Sequence, residues 1–568
     1  MRLILSVFIL ILSIDSINAQ VYPKDYFQYP MDTPTFMSAP FGSLRENHFH
    51  SGMDIRTGEK IGLPIYAVAD GYVSRIKYAS TAYGKAIYIN HPNGYTSVYA
   101  HLQHAHADIA EYIRHYQYEK ETFEFDHFPT NDKLPVKKGD IIGWSGNSGT
   151  STGPHLHFEI RNSKSEAVIN PQHFGIFGVD LLPPIIKHLS IYSLEHNRPI
   201  LTHDVVLSNQ KLINTDSGFV LKDTIQIGSR NIGFAIDAID YLLDTKKEYS
   251  LYGIDLSIDN KKYFTFRLDM FRFDDTRCIN THLDFQRYKI EDKRIQKLFL
   301  DDGNQIRNYP YMRNKGKVQL LDTLVHIAKI TAIDFMNKSY VLYVNFKHTG
   351  LRISAPKSPA NRVATCYPKV NNSYTTSDLQ LQIPQGALYD TMDLIMFTQA
   401  PTEYMQSKLY KLSDNIIPLH RNIKIAIKTF SDKQQDKMIL CTLDKGLGIR
   451  SIGGEYANGW VTTHTNSFGD FFIGIDTIAP KIIFMNVQND ILSDTVSMKF
   501  AISDDLSGIA SYKGYINNKW EVFEYDAKNN LLEYYFDINS PSGKLDVEIV
   551  VIDKKKNSTT FKKSIIRQ

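Results

Sequence analysis

The 568-residue sequence predicts a mainly β protein, and two observations carry that expectation. Short runs of β-branched and aromatic residues recur between glycine and polar turns along most of the chain. Tyrosine and phenylalanine are abundant, at 34 and 31 residues, as in strand-rich proteins. One stretch differs: from Gln103 to Pro135, Ile109, Tyr112, Ile113, Tyr116 and Phe123 fall at mixed helical spacings among charges. It reads as a helix-containing insertion and a candidate flap.

The elements follow in chain order. Met1-Arg2, the apolar run from Leu3 to Ile14, and Ser16-Ile17-Asn18-Ala19 form the three parts of a secretory signal, giving an expected signal peptide at 1–19. That run is too short to span a membrane comfortably, and no later stretch approaches a spanning length. The expectation is an exported protein, periplasmic or secreted, with no transmembrane segment after cleavage. Gln20 rather than cysteine argues against a lipid-modified N-terminus. A unit at 20–178 follows, with strands read at Pro64–Val68, Gly71–Ile76, Ala86–Asn90 and Tyr95–Tyr99 and the insertion at 103–135. After Pro183-Pro184, alternating strands and polar turns suggest stacked β-sandwiches: one at 179–349, a β-rich module at 350–475, and an immunoglobulin-like one at 476–568. Asp180-Leu181-Leu182-Pro183-Pro184 and Asp476-Thr477-Ile478-Ala479-Pro480 echo each other as strand openings. Asp504-Asp505-Leu506-Ser507-Gly508 lacks the spaced acids of a calcium-binding hand and reads as a turn.

Composition excludes several classes. The 64 basic and 61 acidic residues nearly cancel, giving no basic surface for nucleic acid. Cys278, Cys366 and Cys441 are far apart, so neither a disulfide framework nor a thiolate zinc site is available. Histidine is concentrated instead. Eleven of the 19 lie between His48 and His173, placing metal or acid–base chemistry in the N-terminal third.

Three motifs stand there: His50-Ser51-Gly52-Met53-Asp54, Tyr99-Ala100-His101-Leu102, and Gly153-Pro154-His155-Leu156-His157-Phe158-Glu159-Ile160. On a strand, His155, His157 and Glu159 share one face while Leu156, Phe158 and Ile160 face the core. Two imidazoles roughly 7 Å apart can then serve one metal in different roles. Gly52 permits a tight backbone through which His50 and Asp54 converge. Two histidines and an aspartate leave the fourth tetrahedral position of zinc free for water. The glycine-rich Gly143–Gly153 lacks the Gly-Lys-Ser/Thr of a phosphate loop and precedes a strand, so it reads as the turn that delivers His155.

With Lys138-Gly139-Asp140 and Gly146-Asn147-Ser148-Gly149 added, the segment from Phe41 to Pro171 resembles the lysostaphin and LytM-type zinc endopeptidases, which cut peptidoglycan cross-links. The resemblance covers about a quarter of the chain. It implies an antiparallel sheet of the duplicated hybrid motif, with zinc held by His50, Asp54 and His157 and with His101 and His155 as the catalytic pair. It also implies an auxiliary role for Asn170, and Arg45 is a candidate electrostatic helper. The implied substrate is the peptide stems and cross-links of the bacterial cell wall, with possible cell-wall partner proteins for the C-terminal modules. Two other readings stand beside it: a non-catalytic regulator or scaffold that activates an amidase or binds a partner, and a carboxypeptidase.

Overall fold

The computed structural model describes residues 22–567, apart from 33–36, 177–181, 197–198, 242–247, 351–358, 360, 445–447, 493–495 and 539. The expected signal peptide, the boundary near 178 and the start of the Asp180 echo lie outside the described residues. Strands β1 (Met37–Ala39), β2 (Leu44–Arg45), β3 (His48–Phe49), β4 (Met53–Arg56), β5 (Pro64–Tyr66), β6 (Gly71–Tyr78), β7 (Lys85–Asn90), β8 (Tyr95–Ala100) and β9 (Leu102–Ala105) lead to helix α1 (Ala107–Lys120). β10 (Phe125–His127), β11 (Pro135–Val136), β12 (Ile141–Ser145), β13 (His155–Asn162) and β14 (Val168–Ile169) complete the N-terminal third. The main antiparallel sheet runs β1-β4-β13-β8-β7-β6-β10, and a small sheet runs β5-β12-β9.

The expected alternation along β13 is present. Leu156, Phe158 and Ile160 are fully buried in the core with Met53 and Ile55 of β4 and Ile87 and Ile89 of β7. His155, His157 and Glu159 therefore occupy the other face. The insertion is narrower than 103–135, because β9 pairs with β12 and β11 pairs with β6. Nor is it a free flap. α1 buries Ile109 and Ile113 in the N-terminal core, and its Tyr118 meets Trp520 of the C-terminal module edge-on at 5.4 Å.

The N-terminal unit and the next one share a core. Phe41, Leu44, Phe49 and Val168 pack with Ile186, Phe234, Phe266 and Phe271, and β14 pairs with the strand Met270–Phe271. Two further sheet pairs follow, of six and five strands between Arg362 and Ile475 and of four and six between Lys481 and Arg567. Each pair encloses its own apolar core. Cys278, Cys366 and Cys441 are buried and unbridged. Asp504 ties its turn by accepting the N–H groups of Leu506 and Gly508.

One buried group gives this framework a pH dependence. His282 is 1% exposed, stacked on Phe266 at 4.3 Å and hydrogen-bonded through Nε2 to Gln296 Oε1 at 3.1 Å. Burial pulls its pKa down to about 4. The folded state therefore binds fewer protons than the unfolded one, and stability present above pH 6.5 is lost as pH falls towards 4. Urea unfolding should show a loss of about 2 kcal/mol between pH 7 and pH 5 from this group. His282→Gln, which cannot charge, should remove that part of the slope.

Candidate metal centre

The four histidines and one aspartate singled out by the motifs converge. His50 follows β3, Asp54 lies on β4, and His157 on β13 is directly opposite Asp54 in register. Gly52 permits this closeness, since a Cβ there would sit 2.3 Å from Phe158 O and 3.0 Å from His157 Nε2. His50 Nε2, His157 Nδ1 and Asp54 Oδ1 lie 3.0 Å from one another. All three side chains are buried. Ligands about 2.0–2.1 Å from a tetrahedral zinc stand roughly 3.3 Å apart, so this triangle fits such an ion.

The surroundings decide which ring nitrogens face inward. His50 Nδ1 is 3.0 Å from Pro40 O, and His157 Nε2 is 3.0 Å from Glu159 Oε1, so each ring donates its N–H outward. The opposite nitrogens then present lone pairs to each other and to a carboxylate oxygen. Three acceptors at 3.0 Å repel unless a cation sits among them. Without a metal ion, a proton on His157 Nδ1 takes that cation's place against Asp54 Oδ1. Burial alone would lower the His157 pKa, yet hydrogen bonds to Asp54 and Glu159 raise it to about 9. Asp54 is held well below the usual carboxylate range, the surrounding histidines outweighing its burial.

Glu159 is completely buried, and Arg161 Nε donates to its Oε2 at 2.6 Å while Tyr83 Oη donates to its Oε1 at 2.6 Å. Arg161 and His157 hold its pKa low against the effect of burial. Glu159 was legible as a neighbour of His157 on one strand face, and Arg161 continues that face along β13. Tyr83 was missed: it comes from the turn before β7, and no local pattern marks it.

His101 and His155 stand beside the triangle, with their rings 4.8 Å apart. His101 occupies the step between β8 and β9, where the chain passes from the large sheet to the small one, and it does so with φ +60°. A left-handed backbone at a non-glycine residue stores strain, which is typical of a functional position. His101 Nδ1 donates to Ser148 O at 2.8 Å, and His155 Nδ1 lies 2.8 Å from Gly153 O. Both Nε2 atoms stay clear of those carbonyls, and that of His155 is 3.4 Å from Asp54 Oδ1. Burial and the neighbouring His157 and His155 lower the His101 pKa to about 3, keeping the ring neutral at physiological pH.

The auxiliary residues lie elsewhere. Asn170 caps a short 3₁₀ turn by accepting the Gln172 N–H, and its Nδ2 donates to Leu268 O. Arg45 lines the cleft that opens onto Asp54 and His155. This cleft encloses about 1010 Å³, and its far wall comes from the second unit through Lys187, His188, Asp237, Glu248 and Arg294. The other acidic trio among the described residues, Asp476, Asp504 and Asp553, receives backbone N–H groups from Ser507, Leu506 and Lys555.

Comparison with known proteins agrees with this geometry. Residues 48–171 match peptidase family M23. Residues 364–476 match a Zu5-like domain. Among curated relatives, an uncharacterized metalloprotease of Haemophilus influenzae is 30% identical over 24% of this chain and 25% of its own length. The DD-carboxypeptidase/endopeptidase Mpg of Neisseria meningitidis is 33% identical over 22% and 24%, and the peptidoglycan DD-endopeptidase ShyC of Vibrio cholerae is 33% identical over 25% and 28%. The chain thus spans about a quarter of the length of these relatives. Because Glu159 orients His157, Glu159→Gln should weaken metal affinity about 10- to 100-fold, as read by competition with a chromogenic chelator.

Proposed function

We propose that this protein is a zinc-dependent metallo-endopeptidase that hydrolyses peptide cross-links of bacterial peptidoglycan. The observation that carries the reading is the triangle of ligand atoms on His50, Asp54 and His157, with the imidazoles of His101 and His155 beside it and Asp54 and His155 lining an open cleft. A zinc ion held by those three residues would supply a bound water of lowered pKa and polarise the scissile carbonyl.

The chain's own groups do the rest. His101 and His155 each keep Nε2 available for proton transfer, because Nδ1 is committed to a backbone carbonyl. One of them accepts the proton of the attacking water and returns it to the leaving amine, and the other, carrying a proton taken up from solvent, donates to the oxyanion that develops on the carbonyl. The carbonyl anchors keep both rings in one tautomer and orientation throughout. Asp54 is the single anionic ligand, so the loaded site would keep positive charge where the oxyanion forms. The cleft continues between two units rather than ending at the triangle, which favours cleavage within a peptide over removal of its last residue. A scaffold role has less support, because all five polar residues of the site are present and correctly oriented. Export to the periplasm, after removal of the signal at 1–19, is the placement that gives such an enzyme its substrate.

The test is incubation of the full-length chain with purified peptidoglycan, with and without a zinc chelator, followed by mass spectrometry of the muropeptides. Chelator-sensitive splitting of cross-linked dimers is expected. Unchanged peptidoglycan would support the scaffold reading, and loss of terminal residues only would make the protein a carboxypeptidase. His101→Ala and His155→Ala should keep their zinc and lose about 10²- to 10⁴-fold in turnover. His157→Ala should lose the metal by elemental analysis.

A further inference from the structure

Lys528 of the C-terminal sandwich lies 381 residues from Asn147 in sequence, yet the sandwich grips the segments that hold the proposed catalytic His101. Three stretches of the N-terminal unit interlock around His101. Its backbone N–H donates to Tyr83 O at 2.9 Å and its Nδ1 to Ser148 O at 2.8 Å. Ser148 Oγ in turn accepts the Lys85 N–H and donates to Leu102 O, both at 2.9 Å. The packing is tight enough that a Cβ on Gly84 would stand 2.4 Å from the Ser148 carbonyl carbon, and one on Gly149 2.3 Å from Ala82 O.

The sandwich reaches two of these stretches from outside. Lys85 is 6% exposed, and its ammonium donates to both oxygens of Glu524 at 2.8 and 2.7 Å and to Gln103 O at 2.8 Å. Lys528, in the turn after the strand Glu524–Asp526, donates to the carbonyl of Asn147, the residue next to Ser148. Other contacts of the same interface leave the His101 surroundings alone. Lys513 pairs with Glu121 at 3.2 Å, and Tyr118 Oη donates to Glu521. The interface therefore has a part that docks the module and a part that bears on the loop carrying Ser148.

We propose that the C-terminal sandwich is a positioning element of the N-terminal site: Glu524 and Lys528 hold Lys85 and the Asn147–Gly149 loop so that Ser148 O fixes the His101 imidazole. This rests on the peptidase reading above. A neutral ring hung on one carbonyl is directed only as well as that carbonyl is held. Small misplacement of a proton-transfer group slows chemistry without weakening substrate binding. Metal retention is unaffected, because none of these residues touches His50, Asp54 or His157.

In the full-length chain, Lys528→Ala and Glu524→Gln should each lower kcat about tenfold on cross-linked muropeptides, with KM within about twofold of the parent and zinc content unchanged. Lys528→Arg, which keeps the donor, should restore most of the rate, and Lys513→Ala should keep kcat. Unaltered or raised kcat in the first two variants, or an equal fall in Lys513→Ala, would overturn the proposal; so would a defect that lies only in KM or metal content. Should the parent protein split no cross-links, the peptidase reading fails first, and hydrogen exchange still decides the positioning. Amides of 99–104 and 146–150 should exchange faster in Lys528→Ala but not in Lys513→Ala, and equal protection in both would reject it.

Discussion

Three hydrogen-bond acceptors held 3.0 Å apart in a buried pocket are the constraint on which the rest of this structure turns. No arrangement of neutral side chains makes such a triangle favourable, because each outward N–H is already committed to Pro40 or Glu159. A positive charge, from a proton on His157 or from a metal ion, satisfies it, and the buried Glu159–Arg161–Tyr83 network holds the rings in place. The sheet exists, in functional terms, to bring β4 and β13 into the register that places Asp54 opposite His157.

The chemistry is separated spatially into two jobs. The triangle is supported from the main sheet by Gly52, Phe158 and Glu159, whereas His101 and His155 are anchored to carbonyls of the glycine-rich 146–153 stretch. Those carbonyls belong to a turn rather than to a ladder, so their position depends on whatever packs behind them. This is why a remote sandwich that touches Asn147 and Lys85 matters to the site, while the second unit matters to the cleft wall and shares a core with the first. The chain is less a catalytic domain with appendages than a site assembled where three units meet.

Much of this was legible in the residues. The period-two pattern of Gly153–Ile160 placed His155, His157 and Glu159 on one face, and Leu156, Phe158 and Ile160 are indeed buried behind them. The spacing of His50 and Asp54 around Gly52 was enough to anticipate their convergence. The reach of the insertion was misjudged, since Gln103–Ala105 looks like part of the irregular stretch but is paired to β12 by hydrogen bonds that no local pattern announces. Its description as a flap failed for a similar reason: Tyr118 reads as one more aromatic until Trp520 is found against it.

The sequence by itself determined the chemistry of the donors, the strand on which two of them ride and the mainly β character of the chain, because these follow from side-chain type and a two-residue period. Only the tertiary structure decided which nitrogen of each imidazole faces inward, that Tyr83 supports Glu159, and that the second unit and the last sandwich complete the cleft and the His101 anchorage. Such features depend on contacts between segments tens to hundreds of residues apart, and local periodicity carries no information about which distant surface a given face will meet.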